Sequence, residues 1–137
     1  MKHSYFVAWL VMIVAGCAAY DAEAIKRSAS EGTIPETFTS YEAALAYTNA
    51  LRAGGRVDHV RVGSTSYMVV MQHGSGVPLL GIAVYRKGVF GWHRVEVPRA
   101  PRPHFDFVRA SEADGKIILT EERSRRVWIL YDPAIQG

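Results

Sequence analysis

The chain has one cysteine among 137 residues, which excludes an internal disulfide, a CxxC redox pair and a zinc site built on several thiolates. It has no uninterrupted apolar run of the ~20 residues that a membrane-spanning helix needs. Charge of one sign is also scarce: 16 Lys and Arg against 13 Asp and Glu leave +3, too small and too dispersed an excess for a dedicated nucleic-acid binder. No internal repeat suggests a solenoid or a propeller. What is present suits one core of ordinary size, with 49% hydrophobic and 21% charged residues, in a chain of usual single-domain length.

The N-terminus differs in composition from the rest. Met1, Lys2 and His3 make a short basic start, followed by the apolar run Tyr5 to Val14 and then Ala15-Gly16-Cys17. This is the layout of a secretory signal, whose apolar core is expected to span ~7–15 residues. Val14-Ala15-Gly16-Cys17 resembles the bacterial lipobox. The resemblance implies cleavage before Cys17, a lipid thioether on its sulfur and acylation of the new N-terminus. Each buried acyl CH₂ contributes ~0.8 kcal/mol, so two or three chains hold a soluble domain firmly on a membrane. Ala18, where Asp would favour inner-membrane retention, resembles the outer-membrane-sorted pattern. The implied division is a signal peptide over 1–16, lipidated Cys17 and a flexible tether over 17–36, and one globular domain over 37–137. Loss of Lys2 with the signal leaves 15 basic against 13 acidic residues, or +2.

Ala18 to Glu36 is rich in Ala, Ser and Glu, with Lys26 and Gly32 among them, and reads as the tether, with a helical turn around Asp21–Ser28. Thr39-Ser-Tyr-Glu42 has capping-box spacing and starts a helix of about fourteen residues. Ala43, Ala44, Tyr47, Ala50 and Leu51 supply its apolar face, and Gly54-Gly55 its stop. From Arg56 the period becomes 2. Strands are expected at Val57–Val62, Ser66–His73, Pro78–Arg86, Val89–Val97, Phe105–Ala110, Lys116–Glu121 and Arg126–Tyr131, with turns at Gly63-Ser64-Thr65, Gly74-Ser75-Gly76, Lys87-Gly88 and Asp114-Gly115. Tyr67, Val69 and Met71 share one face, as do Leu80, Ile82 and Val84. Val127, Ile129 and Tyr131 oppose Trp128 and Leu130, which reads as a strand either central in its sheet or covered on both sides. Pro98, Pro101 and Pro103 make a stiff crossing segment. The fold class is α+β: one N-terminal helix packed on a mainly antiparallel β-meander or partly closed barrel of about 6–7 strands.

Candidate chemistry is sparse. His59, His73, His93 and His104 show no HxxxH or HxH spacing, so no metal site is expected. Asp58-His59 would point to opposite faces of a strand, whereas His104 and Asp106 share a face but lack a nucleophile, with no GxSxG elbow at Ser111 or Ser124. Asp106, Glu112, Asp114, Glu121 and Glu122 read as chance neighbours rather than a glycosidase pair. Gly74-Ser-Gly76 and Gly81 precede no helix on which a phosphate could dock. The remaining candidates form a binding surface: Phe90, Trp92 and Arg94 on one strand, Arg99, Arg102 and Arg109 around the prolines, and Arg123, Arg125 and Arg126 at the last hairpin. Arginine forks of this kind grip anionic partners at two points.

The expected function is therefore non-enzymatic, with no catalytic residues, no metal and no cofactor beyond the covalent lipid on Cys17. The chain reads as a lipid-anchored binding or structural module on the periplasmic face of the outer membrane, with an envelope protein or cell-wall polymer as partner and no nucleic acid. A subunit of an envelope or secretion assembly fits. The alternative is an inhibitor or immunity lipoprotein that blocks a cell-wall hydrolase. The chain resembles lysozyme-inhibitor lipoproteins in size, anchor and strand content, but lacks their disulfide cysteines.

Overall fold

The computed structural model describes residues 21–74, 77–97 and 108–136; the signal, Cys17 and the proline segment lie outside them. Its first element corrects the tether reading, for Ala22–Glu31 is a helix, α1. The Asp21 side chain caps it, accepting from the backbone N–H groups of Glu23 and Ala24 at 3.1 Å. Gly32 ends it at φ 73°, a left-handed conformation open to glycine without a Cβ penalty. Ile25 and Ala29, one turn apart, pack into the core, so an Ala-rich segment with few large side chains still docks on the domain.

A two-residue strand, β1 (Thr37–Phe38), leads to α2 (Tyr41–Ala50). The cap of α2 is Ser40 rather than Thr39: its Oγ accepts from Ala43 N at 3.1 Å. The helix stops at Ala50, short of the expected length, because Leu51 turns to extended backbone and Gly54 N donates to Leu51 O at 3.1 Å. Ala43, Ala44 and Tyr47 are buried, as the helical spacing predicts.

The strands that follow are β2 (Gly55–Val62), β3 (Thr65–Gly74), β4 (Val77–Gly88), β5 (Gly91–Val95), β6 (Val108–Ala113), β7 (Lys116–Glu121) and β8 (Val127–Tyr131), and a short helix, α3 (Pro133–Gln136), closes the described chain. Every pairing is antiparallel. The α+β class holds, but the strands form two sheets, β1-β5-β4-β3-β2 and β6-β7-β8, rather than one meander or partly closed barrel. Asp114 at φ 51° and Gly115 at φ 75° make the β6–β7 turn, the two-positive-φ geometry that matches strand twist.

The result is three layers. Tyr67, Val69, Met71, Ile82 and Val84 face Val108, Ile117, Leu119, Leu130 and Tyr131 of the small sheet. On the opposite face of the large sheet, Phe38, Met68, Val70, Ala83, Tyr85 and Trp92 meet the helices through Ala29, Ala43, Ala44 and Tyr47. Burial on both faces explains why β3 reads as a continuous apolar run. Each fully buried large side chain in these layers contributes about 1.5–3 kcal/mol.

Polar ties fix the layers to one another. Gln72 Nε2 donates to Tyr47 Oη at 2.7 Å and to Gly32 O at 3.2 Å, while the Tyr47 hydroxyl donates to Thr33 O at 2.8 Å. The Tyr85 hydroxyl donates to Pro35 O. Between the sheets, Asp58 accepts from Ala110 N at 2.8 Å and from Arg56 Nε at 2.7 Å. Where the edges of β2 and β6 meet, this carboxylate satisfies a backbone donor that no strand ladder reaches.

Candidate functional site

The β4–β5 hairpin carries the most exposed apolar surface. Its strands pair from Val84↔Val95 to Gly88↔Gly91, so the turn falls on Val89 and Phe90 rather than on Lys87-Gly88. These two side chains are 92% and 90% exposed. The turn falls there because Gly91 adopts φ 121° and lies against β1: a Cβ on it would sit 2.7 Å from Phe38 O. Phe90 therefore lies in the turn and not on one strand with Trp92 and Arg94, contrary to the expectation from side-chain alternation. Trp92 is buried, with the His59 ring edge-on at 6.0 Å and Lys87 Nζ 5.9 Å from its ring centroid. Arg86, Lys87, His93 and Arg94 are exposed, and no acidic residue occurs between Tyr85 and Val95. Beside the hairpin turn, a cavity of about 400 Å³ is bounded by the N-terminal turn of α2, including Glu42, and by Lys87, Gly88, Val89, Gly91 and Trp92.

Arg94 belongs to a second feature. Its Nη1 lies 3.6 Å from Glu36 Oε1, and its backbone N donates to Glu36 O at 2.9 Å. A cleft of about 490 Å³ opens beside this pair, lined by Ile82, Ala83, Val95, Glu96 and Val97. It exists because β5 ends at Val95 while β4 continues back to Val77. Buried tyrosines lie in the neighbouring layer. Burial pushes the Tyr85 and Tyr47 hydroxyls above their ordinary value, opposed in part by Arg94 at Tyr85 and by the Gln72 hydrogen bond at Tyr47.

The other expected arginines lie on the small sheet. Arg109 Nε pairs with Glu122 Oε1 at 2.5 Å. Arg123, Arg125 and Arg126 are exposed at the β7–β8 turn, where Arg125 takes φ 60° and its N–H donates to Glu121 O at 2.8 Å. Arg99 and Arg102 lie outside the described residues. The single surface expected from Phe90 to Arg126 is thus divided between two sheets, with Trp92 withdrawn into the core.

β8 also departs from expectation. Among the described residues it is the edge strand of its sheet, and Val127 and Ile129 are 56% and 58% exposed rather than covered. A register shift pairs Ile118 with Ile129 but Ile117 with Tyr131. The extra residue turns both Leu130 and Tyr131 inward, as a bulge does. Arg126 O accepts from Glu121 N at 2.9 Å, so by alternation the backbone groups of Val127 and Ile129 face the free edge.

Among the described residues, no three His, Cys, Asp or Glu side chains converge as a metal ion would require. Asp58 is occupied between the sheets and His59 lies on the opposite face against Trp92. His104 and Asp106 lie outside the described residues. Of the carboxylates weighed as a pair, Glu112 accepts from Gly115 N at 2.9 Å and Glu122 binds Arg109. Glu121 points inward, fully buried, with neither carboxylate oxygen bonded among the described residues. Sequence reasoning missed Val89, Arg86, Lys87 and Ile129 as surface features; the available signal was the acid-free stretch around Val89-Phe90. Compared with known proteins, no family model, curated protein or solved structure matches the chain.

Proposed function

We propose that the chain is a non-enzymatic, lipid-anchored module on the periplasmic face of the outer membrane, held through Cys17, which binds an envelope protein by strand addition to β8. The lipobox resemblance at Val14 to Cys17 supports the anchor. The β8 edge, unpaired among the described residues, carries the binding reading. Its sequence VWILY has no charge and no proline, two of the devices that blunt edge strands, so the bulge before Tyr131 and the short length are what limit pairing along it. Two of its five side chains are exposed and aliphatic, and among the described residues no strand pairs with the outer side of β8. An extended segment of a partner laid along this edge gains main-chain hydrogen bonds for affinity and the Val127 and Ile129 side chains for selectivity.

Hydrogen–deuterium exchange tests this with the full chain, compared between native membranes and purified protein in detergent. The expected result is that the Val127 and Ile129 amides exchange at least about tenfold more slowly in membranes, and that Ile129→Lys removes the difference without changing the melting temperature. Equal exchange rates in the two settings would refute edge pairing.

A further inference from the structure

The Val89–Phe90 tip takes no part in holding the fold together, since both side chains stand in solvent. Two-residue hairpin turns favour Gly, Asn and Asp, whose backbones suit the bend; here the turn carries a β-branched and an aromatic residue. The cations behind it are arranged around the stalk. Arg86 pairs across the ladder with His93, and Lys87 with Trp92. Side chains of successive strand residues alternate between faces, so Lys87 lies on the helix side with Trp92, and Arg86 and His93 lie on the other.

We propose that this hairpin is a second membrane contact, in which Val89 and Phe90 enter the headgroup–acyl boundary of an anionic phospholipid leaflet and Arg86, Lys87 and His93 meet the phosphates. The inference rests on the anchored reading and deepens it by naming what the exposed hairpin touches. The dimensions agree: Arg86 precedes Val89 by three residues, which is about 10 Å along a strand. Interfacial apolar groups settle about 5–10 Å below the headgroups, which leaves the cationic collar at phosphate level. A hairpin whose own strands carry cations on both faces and no acid beside the tip suits an anionic surface, with exposed Glu42 of α2, across the cavity from Lys87 and Val89, the acid it must outweigh. A folded protein partner would instead call for a shaped, one-sided contact.

The test uses the full chain made in a lipidating bacterium, with an environment-sensitive fluorophore on Val89→Cys, mixed with vesicles whose acyl chains carry bromine as quencher. One set contains phosphatidylglycerol and phosphatidylethanolamine, the other phosphatidylcholine alone. The same label on Asp114→Cys, in the β6–β7 turn, is the control. In phosphatidylglycerol vesicles the label at 89 is expected to be strongly quenched and the label at 114 is not. Arg86→Glu with Lys87→Glu should weaken quenching about tenfold or more, with the melting temperature lowered by only the few degrees that the Lys87–Trp92 contact supplies. Labels at 89 and 114 quenched alike would overturn the proposal, as would equal quenching in both vesicle types. So would a label at 89 shielded by a soluble envelope protein without vesicles. The mass of the same preparation reports the lipid on Cys17 separately. Quenching at 89 in a chain without that lipid would uphold the hairpin and reject the anchor.

Discussion

Replacing Glu121 by methionine should stabilise the fold. Glu121 lies on the inward face of β7 with Ile117 and Leu119, opposite Val108 of β6, and is fully buried with both oxygens unbonded among the described residues. A buried polar group without a partner costs about 1–3 kcal/mol, and more when charged. Methionine has similar length and the flexibility to fill the same space. The Glu121→Met chain should therefore gain about 1–3 kcal/mol, or roughly 4–12 °C in melting temperature for a domain of this size. As a contrast on the same face, Leu119→Ala should lose about 2–5 kcal/mol through the cavity it leaves. Urea titration followed by tryptophan fluorescence measures both, with the slope checked for a constant unfolding transition. A loss of about 1 kcal/mol or more in Glu121→Met would refute the reasoning, because a carboxylate that stabilises where it is buried must be bonded.

Asp58→Ala should cost about 2–3 kcal/mol in the same urea assay, because Ala110 N–H loses its acceptor between the sheets; a cost below about 0.5 kcal/mol would mean that the tie is replaceable. Gly91→Ala should cost at least about 2 kcal/mol, since its φ of 121° disfavours a side chain and a Cβ would meet Phe38 O at 2.7 Å; calorimetry showing an unchanged melting temperature would contradict this. Alkaline unfolding should follow from the buried tyrosines. Tyr47, Tyr85 and Tyr131 are all raised above 10.0, in each case chiefly by burial. Above that pH the unfolded chain releases protons that the folded chain keeps, so stability present below pH 10 falls as pH rises. The limiting slope is about 1.4 kcal/mol per pH unit for each tyrosine. Urea midpoints that stay constant from pH 9 to 12 would exclude it.

Much of the sheet structure was legible from side-chain alternation. Tyr67, Val69 and Met71 face one layer with Ile82 and Val84, and the ladder sets Val69 opposite Val84 and Met71 opposite Ile82. Asp114-Gly115 turns where its chemistry demands. Helix α1 was expected only as a turn around Asp21–Ser28 within a tether, because only Ile25 and Ala29 mark its inner face, although Asp21 and Gly32 bracket it with the expected caps. The β4–β5 turn was misplaced because Lys87-Gly88 carries a turn signal, whereas the close approach of Gly91 to Phe38 O, a long-range contact, selects Val89 and Phe90. Period 2 does not tell an edge strand from a central one, nor one sheet from two. β8 was therefore read as central or covered, and arginines that proved to lie on separate sheets were grouped together. Glu121 resembled a surface acid because it sits beside Glu122 at a hairpin, and only the inward face of β7 reveals its burial.

The most direct test of the central claim is native mass spectrometry of the full-length protein extracted gently from membranes. The account predicts a chain beginning at Cys17, heavier by its acyl groups, accompanied in part of the spectrum by an envelope protein that dissociates on Ile129→Lys. An intact chain that retains residues 1–16 and carries no lipid would contradict the anchor, and with it the proposed place and role of the domain.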